Sequence, residues 1–193
     1  MARRSDHTKE ELTELAIRKG IEIIDKNGVS GFSARRIARA MGYTVGTLYH
    51  VFGDLDQYML HLNARILDEW HEDLSLGLRR TRKDPVRFLA QGYVDFARKH
   101  YNRWTTLFEF RMTRQTPLPG WYTAKLSRLF ELVENAILPH AGGDLRKARR
   151  SAKVLWAGIH GICVLSLSGK LGIVGAEKPE ILVKSLLDTY LPS

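Results

Sequence analysis

The densest set of side chains able to do chemistry in this 193-residue sequence lies between Ser33 and Phe52. Thr44, Val45, Thr47, Tyr49 and His50 fall within seven positions, preceded by Ser33, Arg35 and Arg36. This is a set suited to reading another polar surface. A threonine hydroxyl serves a donor or an acceptor, the valine and threonine methyls offer apolar contact, and an arginine fork offers paired donors. Motifs for catalysis are missing. The seven histidines lack HExxH spacing, and Trp70-His71-Glu72 has no second ligand at helical distance. No Gly-x-Ser-x-Gly elbow occurs. Ser168-Gly169-Lys170-Leu171 only imitates a phosphate loop, because Val164 stands where a glycine is needed and Leu171 where Ser or Thr is needed. No metal site and no cofactor is expected.

Positioning those side chains requires two short helices and a tight turn. Ser33 can cap the first, with Ile37, Ala38 and Met41 as its apolar face and Gly42 as its exit. Thr44 caps the second, whose buried stripe is Leu48 and Phe52, four apart, so the polar residues face away. A unit of this kind sets one helix in the DNA major groove. Upstream, Thr8 and Glu11 have capping-box spacing and open a helix through Lys26, with Leu12, Leu15, Ala16, Ile23 and Ile24 as its buried side. Phe32 stands where a hydrophobic staple would sit.

Beyond Phe52 the apolar residues recur every three or four positions and no convincing strand appears, so the expected fold class is all-α. Asp54 caps a long helix to about Arg80, and Asp84-Pro85 opens one to about His100. Asn102 is placed as the cap of a shorter helix to about Met112. Further helices are expected from about Trp121 to Leu138, from Asp144 to about Leu171, and from Pro179 to Leu191. The division expected is a helix-turn-helix domain over residues 1–53 and a larger helical domain over 54–193.

Net charge is +9, yet residues 1–56 hold nine Lys and Arg against eight Asp and Glu. The basic excess lies elsewhere, so DNA binding rests on the motif rather than on charge. The single cysteine, Cys163, excludes a disulfide framework and fits a reducing cytoplasm. No stretch approaches the roughly 20 apolar residues that cross a bilayer, and no membrane association is expected.

The motifs Ser33-x-x-x-Ile37-Ala38 and Gly46-Thr47-Leu48-Tyr49 with Phe52, after a helix ending at Gly28, resemble the TetR/AcrR regulators. Trp156-Ala157-Gly158-Ile159-His160-Gly161 resembles the signature of the WHG-type ligand-binding domain within that family. The resemblance implies a homodimeric, cytoplasmic repressor that binds double-stranded DNA at a palindromic operator and is released by a small-molecule effector. Carried over by position, it makes Arg35, Thr44, Val45 and Thr47 base-reading candidates, with His50 beside them, Tyr49 able to reach phosphate or base, and Ser33 and Arg36 better suited to phosphate. The chemistry agrees, since Val45 and the Thr47 methyl can meet a thymine methyl and Arg35 can be bidentate to guanine. Val51 and Leu55 depart from the pattern, standing where many members hold phosphate with His or Tyr and with Lys. The rival classes are an all-α enzyme with scattered catalytic residues and a nonspecific DNA-binding protein.

In the larger domain, Trp104, Phe108, Met112, Trp121 and Trp156 could line an apolar ligand site with His160 as its polar handle. Ala157, Gly158 and Gly161 permit close helix approach, and Leu165, Ile181, Leu182 and Leu186 supply apolar surface. These seven are the expected dimer contacts, in a four-helix bundle across a two-fold axis.

Overall fold

A computed structural model describes residues 7–81, 83–110, 112 and 117–191. Among them every regular element is helical: α1 (Lys9–Asn27), α2 (Ala34–Met41), α3 (Val45–Phe52), α4 (Leu55–Arg80), α5 (Pro85–Lys99), α6 (Tyr101–Glu109), α7 (Gly120–Ile137), α8 (Leu145–Leu167), α9 (Lys170–Ile173) and α10 (Pro179–Tyr190), with a 3-10 turn at Val29–Gly31. No helix is long and apolar enough to cross a membrane. The chain divides into two compact units, Met1–Asp68 with His100–Tyr122, and Glu69–Lys99 with Thr123–Ser193. The boundary between these compact units lies within α4, and α6 groups with the N-terminal helices.

In the first unit the local signals act as their chemistry demands. Thr8 and Glu11 form the reciprocal capping box, with Thr8 Oγ1 accepting from the Glu11 amide at 3.2 Å and Glu11 Oε2 accepting from the Thr8 amide at 2.7 Å. Ser33 and Thr44 cap α2 and α3, and Gly42 leaves α2 in the left-handed region at φ 77°. Ala16, Ile17, Ile23, Ile24, Ile37, Ala38, Met41, Leu48 and Phe52 form the small core. Ile17 joins it where Leu12 and Leu15 remain half-buried.

From α4, Tyr58 enters this core completely. Its hydroxyl donates to the Ala16 carbonyl at 2.7 Å, and its ring stacks on Phe32 and meets Phe52 edge-on. Burial pushes the Tyr58 hydroxyl well above the ordinary tyrosine range. The close crossing of α1 and α4 needs Gly20, where an added Cβ would lie 1.9 Å from the Tyr58 hydroxyl oxygen.

Helix α6 is held to α1 by charge. Arg103 donates from Nε and Nη2 to the two carboxylate oxygens of Asp25, each at 2.7 Å, and Asn102 Nδ2 donates to the Asp25 carbonyl at 2.9 Å. Such a planar two-point pair fixes direction as well as distance. The expected cap at Asn102 is thereby corrected: α6 starts at Tyr101 with His100 before it, because the Asn102 side chain is used on α1.

The second unit packs α5, α8 and α10 together around Leu89, Ala90, Tyr93, Val94, Ala97, Leu155, Ile159, Cys163, Val183 and Leu187. Ion pairs Arg87–Asp188 and Arg98–Glu180 add links between α5 and α10. Asp144 caps α8 by accepting from the amides of Arg146 and Lys147. The helix expected to run to Leu171 ends at Leu167, because Gly169 turns left-handed at φ 72° and only the short α9 follows.

Candidate nucleic-acid interface and ligand cavity

Helix α3 has two chemically distinct sides. Leu48 and Phe52 are buried against α1 and α2, whereas Thr44, Tyr49 and His50 are exposed and Val45 and Thr47 half-buried. Burial on one side leaves the other available to a partner. Thr44 Oγ1 accepts from the Thr47 amide at 3.2 Å and lies 3.1 Å from Thr47 Oγ1. The two hydroxyls thus form a fixed pair at the start of the helix, where donors and acceptors would meet base edges. Gly46 is exposed, and an added Cβ would find only the Thr44 hydroxyl, at 3.6 Å, so the surface is open there.

The structure separates the roles of the two arginines of α2. Arg35 is exposed, and its guanidinium makes no ion pair or hydrogen bond among the described residues. Arg36 instead donates to Asn27 Oδ1 at 2.6 Å and to the Gly31 carbonyl at 3.2 Å, tying α2 to the end of α1. Ser33, assigned to phosphate, uses its hydroxyl to accept from the Arg36 amide. One contact that the sequence pattern did not suggest is His7 Nδ1 with the Tyr43 hydroxyl, 2.7 Å apart, which fastens the start of the chain to the turn between α2 and α3.

The six residues expected to line a ligand site fall into two groups. Trp104, Phe108, Met112 and Trp121 belong to the first unit: Trp104 is buried with Phe108 tilted against it, and Trp121 stacks on His61 at 4.7 Å. Trp156 and His160 belong to the second. There the His160 ring nitrogen Nδ1 and the Tyr93 hydroxyl are 2.7 Å apart, the Trp156 ring tilts over His160, and Phe130 meets Trp156 edge-on. Burial lowers the His160 pKa from its ordinary value, favouring the neutral imidazole.

A cavity of about 50 Å³ lies beside this cluster, lined by aliphatic side chains from α5, α7, α8 and α10 together with Tyr93 and Trp156. Trp70 stacks on Phe96 and lies 5.3 Å, centroid to centroid, from Tyr93; among the described residues its buried indole N–H has no hydrogen-bond acceptor. Tyr93 is the polar residue that sequence reasoning missed. Its tyrosine sits in an ordinary amphipathic helix, and only the fold brings it to His160, 67 residues away.

Among the seven expected dimer residues, Ala157, Leu165 and Ile181 are exposed, and Gly161 is half-buried with open space where a Cβ would stand. Gly158 has another use. A Cβ there would lie 2.7 Å from Leu186 Cδ2, so Gly158 and Leu186 pack on each other as α8 meets α10 within the chain, and Leu182 is half-buried. Val154 and Val164 extend the exposed apolar face of α8.

A capped helix-turn-helix with a polar outer face, joined to a second unit that is helical throughout its described residues, defines the class of DNA-binding regulators. Residues 86–190 match the model of the family described as "Tetracyclin repressor-like, C-terminal domain", and the chain belongs to this TetR family of transcriptional regulators. It is 24% identical over 165 residues to an HTH-type transcriptional regulator of Mycobacterium tuberculosis, a match covering 85% of this chain and 74% of the relative. The fold is similar to that of a protein from Rhodococcus sp. RHA1, with TM-score 0.73 and 19% identity over 99% of this chain and 97% of that one. It is also similar to Thermus thermophilus FadR, a TetR family repressor solved in complex with lauroyl-CoA, with TM-score 0.64, 17% identity and 93% of each chain covered.

Proposed function

We propose that this regulator is a cytoplasmic repressor, not an enzyme, that binds a palindromic operator as a homodimer and is released by a small molecule. The observation that carries the reading is the outer side of α3, where Thr44, Val45, Thr47, Tyr49 and His50 stand opposite the buried Leu48 and Phe52 in a chain of this family. Arg35 joins them from α2, while Ser33 and Arg36 hold the motif and lie near phosphate. The exposed residues of α8 and α10, Ala157, Gly161, Leu165 and Ile181, form the two-fold contact, and paired half-sites follow from that symmetry.

The small-molecule part draws support from the lauroyl-CoA complex of the Thermus relative and from the cavity beside Trp156, Tyr93 and His160. At about 50 Å³ the cavity is far below the several hundred Å³ of a pocket that encloses a drug-sized ligand, so binding requires it to widen. A ligand that prefers the widened form weakens operator binding by the factor that the operator weakens the ligand. The domain division in this reading is functional: residues 1–53 read DNA, and residues 54–193 serve dimerisation and the effector. Selection of bound duplexes from a random pool, followed by footprinting, tests the reading. A short symmetric protected site is expected; uniform protection along any duplex, or none, would refute it.

A further inference from the structure

Along α8, Arg149, Lys153, Trp156 and His160 recur at spacings of four, three and four, which sets them in one row on the helix surface. The row changes character along its length, from two cations to an indole to an imidazole. Trp156 is half-exposed and also lines the cavity, so it stands at the cavity's edge. Among the described residues no carboxylate, lysine or arginine lines that cavity. A charge buried there would be unpaired and heavily penalised, so the space suits an uncharged apolar body.

Outside the edge the chemistry reverses. With a rise of 1.5 Å per residue, Lys153 lies about 4.5 Å and Arg149 about 10 Å along the axis from Trp156, toward the start of α8. Lys153 is exposed and makes no ion pair among the described residues. Arg149 gives its Nε to Glu134 Oε2 at 3.3 Å, which orients the guanidinium and leaves its Nη edge for another acceptor. Arg146, Lys147 and Arg150 are exposed nearby, and α8 contains no Asp or Glu from Leu145 to Leu167. The acids that meet this end among the described residues are Glu134 on α7 and Asp144, whose carboxylate is occupied in capping α8; Glu131, one turn from Glu134 on α7, is exposed. A solvated helix face would account for the bases alone. It would not account for their alignment with a half-exposed indole over an apolar cavity.

We infer that the effector is an amphipathic anion whose apolar chain or ring enters the cavity past Trp156 while its carboxylate or phosphate stays outside on Lys153 and Arg149. This rests on the ligand-responsive role proposed above and narrows the ligand class. Trp156 must turn aside to admit the apolar part, so its emission reports entry.

The test uses the full chain with decanoate, decyl phosphate and decanol, each below the concentration at which it self-associates. Binding is followed by tryptophan fluorescence, with Trp156→Phe to assign the signal, and operator release by fluorescence anisotropy of the selected duplex. At least one anion is expected to bind about tenfold more tightly than decanol, as one charge-assisted hydrogen bond would give. Which anion is favoured distinguishes carboxylate from phosphate. Lys153→Glu and Arg149→Gln should bring the anion-to-alcohol ratio near one and leave decanol binding unchanged, whereas Lys184→Glu on α10 should leave the ratio intact. Equal binding of alcohol and anions, an unchanged ratio in Lys153→Glu, or no binding of any of the three would overturn the inference. Selective anion binding with the operator complex intact would sustain the site and refute the release role. Release by an uncharged compound alone would do the opposite.

Discussion

Gly20→Ala should destabilise the first unit although alanine is the better helix former, and Tyr58→Phe should relieve most of the damage. The gain in helix propensity is about 1 kcal/mol. Against it stands a Cβ placed 1.9 Å from the Tyr58 hydroxyl oxygen and 2.6 Å from Leu62 Cδ1. Overpacking of this kind costs about 1–3 kcal/mol. The displaced hydroxyl also loses its 2.7 Å bond to the Ala16 carbonyl, about 1–1.5 kcal/mol for a buried hydrogen bond. The net loss for Gly20→Ala is about 1–3 kcal/mol.

Tyr58→Phe alone loses only the hydrogen bond, about 1–1.5 kcal/mol. In the double variant the nearest atom is gone, the ring Cζ that remains at 3.1 Å has to give by only a few tenths of an ångström, and Leu62 Cδ1, at the end of a flexible side chain, can turn away. The double variant should be no less stable than Tyr58→Phe, a coupling of about 1–3 kcal/mol. Urea denaturation followed by circular dichroism measures the three stabilities, and operator titration shows whether the motif keeps its geometry. If the two losses add within about 0.5 kcal/mol, the packing argument for Gly20 is refuted.

Other substitutions separate roles within the proposed interface. Thr44→Ala should cost about 1 kcal/mol of stability by removing the α3 cap, and Thr44→Ser should restore the stability; operator affinity that follows stability alone would exclude a base-reading role. Arg35→Ala should lower the salt slope of operator binding by about one unit. Arg36→Ala should change it less and instead lower the melting temperature, since Arg36 is tied to Asn27 and Gly31; a calorimetric scan beside the salt titration checks both. Because burial lowers the His160 pKa, the unfolded chain protonates this residue first, so stability should fall as pH drops below about 6.5 and level off once folded His160 is also protonated. His160→Gln should flatten that part of the profile of melting temperature against pH. Leu165→Glu should give a monomer by sedimentation, because Leu165 is exposed on one chain and proposed to be covered in the dimer.

The features legible in the sequence are those whose chemistry is local. Thr8, Ser33 and Thr44 cap because a side-chain oxygen can reach an amide three residues on, and Leu48 and Phe52 face inward because they lie one turn apart. Arg103 and Asp25 are 78 residues apart, and nothing near either specifies the other, so the placement of α6 with the N-terminal helices could not be read in advance. The grouping of the ligand candidates was hidden for the same reason: aromatic type suggested them, and nothing local says that Trp104 groups with the first compact unit and Trp156 with the second. Gly158 shows a third limit, since a small residue marks a close approach without naming the helix that approaches.

The bond between Asp25 and Arg103 also bears on how such proteins can be cut and recombined. A fragment ending at Asp68 would keep the reading helix yet strand the Asp25 carboxylate and carbonyl without Arg103 and Asn102. A transplant of the DNA-reading part onto another member of the family would meet a foreign α6 at the same place. The portable module is therefore discontinuous along the chain, and a working chimera has to carry residues 100–122 together with the first 68.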